Sequence, residues 1–281
     1  MQSPSHNLFH LSGLRELGLA PASSPQGRPW AIGVFHDNSS DPSGVVMALR
    51  GTGSIYHTPG DTETLNVLAE LVIKRGQDGN LSLLSGHSTQ LEQFLPLIGE
   101  VGLGRADTCY FRSLAPADLV LPPAPEGFGE PRLAGDADMD LLIDFYQVGF
   151  YSLAHLPTRA AWRNRLAEQL AFRTLFLLED SEGRVASAAL SSAEGGGAAM
   201  LGGVATLDQY RGKGLSAVCV GALCDYLFGG GTNTISLFYL KDNVPAGRVY
   251  DKLGFRHEGE WLLVPIGLGA SFGPLLGLRT R

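Results

Sequence analysis

The chain has 281 residues, 44% apolar and 17% charged, a globular composition too apolar for a disordered protein. At about one domain per 150 residues, that length suggests two domains. The formal charge of −7 disfavours a broadly basic nucleic-acid binder. Cys109, Cys219 and Cys224 form no CxxC pair and leave one thiol over. That argues against a disulfide framework and for a reducing, cytoplasmic setting. The 37 glycines show no period of three, so collagen is excluded and many tight turns are expected.

The first thirty residues contain no apolar run long enough for a signal peptide. Strands are expected at 30–35 and 44–49. A helix follows over 62–75, with Asp61 as N-cap and Leu65, Leu68, Leu71 and Val72 on one face. A strand over 81–84 precedes a helix from Thr89, where Thr89 and Glu92 have capping-box spacing and Pro96 should kink or shorten the helix. A strand over 107–112 closes this β-β-α-β-α-β half, an N-terminal α/β domain over 1–115. Residues 116–129 hold four prolines and two glycines and read as a stiff linker.

A second domain is expected over 130–281. It opens with a short strand at 132–134 and a helix capped by Asp136 that runs through Met139, Leu142, Ile143 and Tyr146. Next come a helix over 158–172, a hairpin of 174–178 with 185–190 turned at 180–183, and a strand over 198–204. A glycine-bearing loop leads into a helix over 215–228. A strand over 234–239, a helix over 245–253 and two closing strands complete the order. The uncharged run 261–278 is not read as a membrane span, because Pro265 and Pro274 interrupt it and four glycines weaken any helix. It reads as a core strand over 261–264 and an apolar tail.

The helix over 215–228 is apolar all round. Leu215, Val218, Cys219, Ala222 and Tyr226 should face the sheet, while Ala217, Val220, Gly221, Cys224 and Phe228 lie opposite. Only Asp225 is charged, so a cover is required. The N-terminal domain or the tail is the expected cover, with another subunit as the rival.

The segment Val204-Ala-Thr-Leu-Asp-Gln-Tyr-Arg-Gly-Lys-Gly-Leu-Ser216 ends a strand, makes a short loop and begins a helix. A helix start has unpaired backbone N–H groups and a partial positive charge. Gly212 and Gly214 would let an anion approach, and Arg211 and Lys213 add charge. Those are the properties of a pyrophosphate cradle. Taken alone, a glycine loop is more often a helix start with solvated charges. A Walker loop is excluded, since Gly214 rather than Ser or Thr follows Lys213.

Gln209-Tyr-Arg-Gly-Lys-Gly214 resembles the Q/R-x-x-G-x-G/A signature of the GNAT superfamily of N-acetyltransferases. The stretch from Leu240 to Phe255, with Asn243 and Tyr250-Asp-Lys-Leu-Gly-Phe255, is similar to that family's second signature. Arg132-Leu-Ala with Asp136 and Asp138 resembles its first strand and helix, so the likeness covers about 130–265. It implies an α/β (α+β) fold, with a mixed, mostly antiparallel GNAT-type sheet flanked by helices, beside a smaller α/β N-terminal domain. That domain would be a degenerate GNAT-like half of a tandem form.

The resemblance also implies acetyl-CoA as co-substrate, lying where the sheet splays after its fourth strand. The backbone of Val204, Ala205 and Thr206 would pair with pantetheine. The N–H groups of Arg211, Gly212, Lys213, Gly214, Leu215 and Ser216 would hold the pyrophosphate. Asn243 would contact the cofactor or pin the neighbouring loop, or else merely cap the helix begun by Pro245. Tyr250 would be the general acid for the leaving thiolate, or else a packed aromatic.

The strand over 198–204 lacks the acidic base common in the family, and Glu194 lies before the glycine turn. Near Tyr151, His155 is a candidate base with a suitable intrinsic pKa. An amine arriving partly neutral would need none. Two functions remain: transfer of an acetyl group to an unidentified amine by direct attack in a ternary complex, or a catalytically silent acyl-CoA-binding sensor module. Neither calls for a metal, nucleic acid or membrane. The assembly would be a monomer with an intrachain pseudo-dimer, or a homodimer. The nearest N-terminal counterpart of the glycine loop, His57-Thr-Pro-Gly60, lacks the second glycine and the basic residues, so one cofactor site per chain is expected.

Overall fold

The computed structural model describes residues 30–34, 43–49, 51–58, 60–77, 81–149 and 158–267. Tyr151, His155 and the tail beyond residue 267 lie outside them. The chain forms two compact units, Met1–Phe111 with Glu258–Phe272, and Arg112–His257 with Gly273–Arg281.

In the first unit β1 (Trp30–Val34), β2 (Gly44–Leu49) and β3 (Thr52–His57) form an antiparallel meander. Strand β3 is absent from the expected order. Gly51, at φ +80, makes the two-residue turn that starts it. Helix α1 (Thr62–Gln77) crosses back to β4 (Leu83–His87), which runs parallel to β3. Leu65, Leu68 and Val72 of α1 are buried in a core with Val46, Ile55, Leu84 and Phe94. Helix α2 (Ser88–Phe94) starts one residue before Thr89. Its cap is His87, whose Nδ1 accepts from the Thr89 N–H at 3.4 Å, so the expected Thr89–Glu92 capping box does not form. Pro96 falls in a 3₁₀ turn over Leu95–Val101, where the α-helix has already ended. β5 (Asp107–Leu114) follows, and its first residues belong to this unit.

In the second unit β6 (Arg132–Leu133), a 3₁₀ turn (Asp136–Asp138), α3 (Met139–Gly149) and α4 (Arg159–Phe172) precede the main strands. The cap before α3 is made by Asp138 rather than Asp136. Its carboxylate accepts the Gly135 N–H at 2.9 Å and a fork from Arg132 at 2.9 and 2.7 Å. Strands β7 (Leu175–Glu179), β8 (Val185–Gly195) and β9 (Ala198–Thr206) are antiparallel, and α5 (Leu215–Gly229) leads to β10 (Thr234–Leu240), parallel to β9. Helix α6 (Val244–Leu253) ends at Gly254, at φ +94. The mixed sheet runs β6-β7-β8-β9-β10 and is mostly antiparallel, with helices flanking it, as expected.

One strand, β11 (Arg256–Pro265), replaces the two closing strands expected. It continues through Gly259, whose φ of +138 bends it without ending it. Its second half, Trp261–Pro265, pairs antiparallel with β4 and completes the first unit's sheet.

The outer face of α5 is buried at Ala217, Val220, Gly221 and Cys224 and half-buried at Phe228. A Cβ at Gly221 would lie 3.2 Å from Leu121 Cδ2, 3.3 Å from Leu253 Cδ2 and 3.5 Å from Pro122 Cδ. The Pro-rich segment and α6, both in the same unit as α5, therefore cover it at this point. Tyr226, expected against the sheet, is 51% exposed, with its ring 5.5 Å from that of Phe176.

Candidate functional site

β9 and β10 pair over three residues only, Ala198↔Thr234, Ala199↔Ile235 and Met200↔Ser236. Both strands then continue, to Thr206 and Leu240, without pairing to each other. An unpaired strand edge presents backbone donors and acceptors to a guest chain. On its other side β9 stays paired with β8, with Ala205 opposite Ala188 and Thr206 opposite Ser187, across two register shifts. Gly203, at φ +56, lies in this irregular stretch, and its carbonyl accepts the Tyr146 hydroxyl at 3.4 Å.

At the end of β9 the chain turns through Asp208–Tyr210 into α5. Gly212 and Gly214 both adopt positive φ, +79 and +82, which only glycine takes without strain. Gly214 is the N-cap, and no side chain caps the first-turn amides. A Cβ at either glycine would meet nothing within 4 Å. The first-turn amides at the positive end of this almost wholly apolar helix thus have no side-chain cap and no glycine side chain over them. Behind them a chain of hydroxyls joins three elements. Ser216 Oγ is 2.7 Å from Thr206 Oγ1, which is 2.8 Å from Ser187 Oγ, and Ser187 donates to the Ala205 carbonyl at 3.0 Å.

The charged residues of the loop are held by neighbours. Arg211 pairs with Asp208 at 2.9 Å and donates from Nε to the Thr206 carbonyl at 3.4 Å. Lys213 Nζ lies 5.4 Å from the centroid of the Phe128 ring and 5.9 Å from that of Tyr210. The Tyr210 hydroxyl donates to Asp180, which also accepts the backbone N–H groups of Glu182 at 2.9 Å and Arg184 at 3.0 Å. Burial alone would raise the Asp180 pKa, but the bonds from Tyr210 and Arg184 outweigh it and hold the carboxylate well below its usual range.

Tyr250 is buried on α6, with the rings of Tyr239 and Phe255 at 5.4 and 5.6 Å. Its phenol is not unperturbed: burial, then Tyr239 and Cys224, push its pKa well above the ordinary tyrosine value. The Asn243 side chain accepts the Ala246 N–H at 3.2 Å and so caps α6. Glu194 accepts from the Thr174 N–H at 2.9 Å and from Ser191 Oγ, holding β7 and β8 together. Among the described residues no group of three or more His, Cys, Asp or Glu could hold a metal. No helix among them is long and apolar enough to cross a membrane.

Residues 139–255 match the model of the Acetyltransferase (GNAT) family. This stretch is a GNAT-family domain. Acyl transfer is the activity of that class. No curated protein matches the chain. A GCN5-related N-acetyltransferase from Kribbella flavida is similar over 95% of this chain and 96% of its own, at 16% identity and a TM-score of 0.65. A tandem GNAT protein from the clavulanic acid biosynthesis pathway is similar over 89% and 86%, at 13% identity and TM-score 0.63. A GNAT-family acetyltransferase from Colwellia psychrerythraea is similar over 95% and 98%, at 15% identity and TM-score 0.57. At such identities the likeness shows a shared fold.

The element order from β7 to β11, β-β-β-α-β-α-β, is also that of β1 to β5. At the corresponding places in the first unit, groups of that unit bond the backbone. Parallel pairing of β3 with β4 stops after Gly53↔Leu84, and the free N–H of His57 donates to Gln90 Oε1 at 2.9 Å. At the start of α1 the Asp61 carboxylate takes the Thr64 N–H at 3.0 Å and the Thr64 hydroxyl at 2.7 Å. A fixed carboxylate there satisfies the helix end and repels a second anion.

Proposed function

We propose that the GNAT domain transfers an acetyl group from acetyl-CoA to a primary amine, by direct attack within a ternary complex. The observation that carries this reading is the uncapped start of α5 beside the unpaired edge of β9. The residues fit the group. Backbone at Val204, Ala205 and Thr206 offers the extended edge that pantetheine amides require. The N–H groups from Gly212 to Ser216, with Gly212 and Gly214 giving clearance, suit a pyrophosphate, whereas the Arg211 N–H expected with them already donates to the Asp208 carbonyl at 3.2 Å. Asn243, as the cap of α6, orients the helix that carries Tyr250.

Acetyl-CoA brings an activated acyl carbon as a thioester. The amine nitrogen forms the new C–N bond as the C–S bond breaks, and the departing sulfur takes the proton held on Tyr250 Oη. A phenol is protonated at neutral pH, as a general acid must be, and burial shifts its pKa further upward. The amine proton leaves to water, or to His155 as the candidate base. No Cys nucleophile is involved. Cys219 is buried with its thiol pushed up to about 12, and Cys224 is raised further by burial. The first unit is read as a degenerate GNAT-like copy without a cofactor site, in a tandem arrangement within a cytoplasmic protein.

A second reading, a silent acyl-CoA sensor, is favoured by one feature. β9 carries no carboxylate, and Glu194 is engaged with Thr174 and Ser191. Release of CoA in the presence of a panel of amines separates the two. Amine-dependent release with acetylated product supports transfer. Tight acetyl-CoA binding with no release above hydrolysis across the panel supports the sensor.

A further inference from the structure

The segment that the sequence presents as a linker packs against the loop before α5. Gly129 N–H donates to the Glu179 carbonyl at 2.9 Å, and Phe128 forms an isolated antiparallel bridge with Asp180. This fixes Phe128 beside the β7–β8 hairpin. Its ring stands edge-on to Tyr210, with centroids 5.7 Å apart and planes at 89°. Tyr210 is buried and tied through its hydroxyl to Asp180. The two rings therefore have fixed positions, and the Lys213 ammonium lies within cation–π range of both.

Lysine has a flexible four-carbon stem, and ordering it on a ligand costs rotamer entropy. A lysine already seated on two anchored rings has lost much of that freedom before an anion arrives. Lys213 stands in the chain between the two positive-φ glycines at the start of α5, so its backbone belongs to the same loop as the uncapped amides.

We propose that Phe128 and Tyr210, braced by Asp180, form an aromatic seat that holds Lys213 for the phosphate groups of the acyl-CoA. Phe128 is thus a positioning residue for cofactor binding. This rests on the reading of the α5 start as the pyrophosphate site. Nothing in the sequence around 116–129 marks the role, because the partners are about fifty to ninety residues away along the chain.

The test is calorimetric titration of the full-length chain with acetyl-CoA, comparing the parent with Phe128→Leu, Phe128→Trp, Lys213→Met and the double variant Phe128→Leu/Lys213→Met. Leucine keeps an apolar side chain on Tyr210 and removes the aromatic face. Tryptophan keeps a face. The expected result is about fivefold weaker binding for Phe128→Leu, on the scale of one exposed cation–π contact. Phe128→Trp should bind like the parent, and the double variant no worse than Lys213→Met alone. Parent-like binding by Phe128→Leu overturns the seat. So does an undiminished Phe128→Leu loss in the Lys213→Met background, which would reduce Phe128 to packing. Gly214→Val separates this from failure of the site itself. If Gly214→Val binds like the parent, or the parent binds no acetyl-CoA, the pyrophosphate reading falls and takes the seat with it.

Discussion

At Tyr250 burial raises the pKa of a phenol that is protonated through the neutral range in any case. Replacement by Phe removes only the hydroxyl and leaves the ring contacts with Tyr239 and Phe255. Turnover should fall by about 10²–10⁴, the usual contribution of a general acid, with acetyl-CoA affinity unchanged. Single-turnover kinetics with an accepted amine check this, and parent-like chemistry would assign Tyr250 to packing alone. Asp138 supports a different expectation. The Arg132 fork, together with the Gly135 N–H, lowers its pKa against the opposing effect of burial. A depressed folded-state pKa contributes stability above the unfolded value of about 3.9, and that stability is lost as pH falls through the folded value. Asp138→Asn should therefore destabilise the protein by about 1–3 kcal/mol at pH 7. In urea unfolding the difference should shrink below about pH 4. A pH-independent difference would show that the charge of Asp138 is not what matters.

Among the elements, α6 and the Pro-rich segment meet at Gly254. Its φ of +94 is left-handed, and a Cβ there would fall 2.1 Å from the Asp118 carbonyl oxygen. Gly254→Ala should cost about 2–4 kcal/mol, from backbone strain plus a clash with an atom that cannot swing aside. Thermal unfolding would register it, and an unchanged midpoint would mean that 116–120 is free to move. The contrast with Gly221 is instructive, since there the nearest atoms are the ends of leucine side chains and one proline ring atom. The helices of the GNAT domain were legible because their cues are local. Examples are Thr158 capping α4, the glycines before α5, and Asn243-Val-Pro opening α6. The cover of α5 was legible as a need but not as an identity. Leu121 and Pro122 reach Gly221 through a contact about a hundred residues long, and no periodicity encodes that. Strand β3 was missed for the opposite reason, because glycines that shape a hairpin also resemble loop punctuation. At the site, the glycine loop was visible in sequence, whereas Phe128, Asp180 and Tyr146 became visible only through their contacts.

Across the whole molecule, the runs β1–β5 and β7–β11 share one element order and differ at the two places where an acyl-CoA would be gripped. In the GNAT domain the strand edge beyond Met200 is unpaired with β10, and the helix start has no side-chain cap. In the first unit Gln90 takes the His57 N–H, and Asp61 takes the helix start. The central claim is that this difference leaves one cofactor site per chain. Its most direct measurement is the stoichiometry of acetyl-CoA binding to the full-length protein by calorimetry, repeated with Gly214→Val. The account predicts one site per chain, lost or weakened at least tenfold by Gly214→Val, the scale of losing one or two charge-assisted hydrogen bonds. Two sites per chain, or a single site indifferent to Gly214→Val, would contradict it.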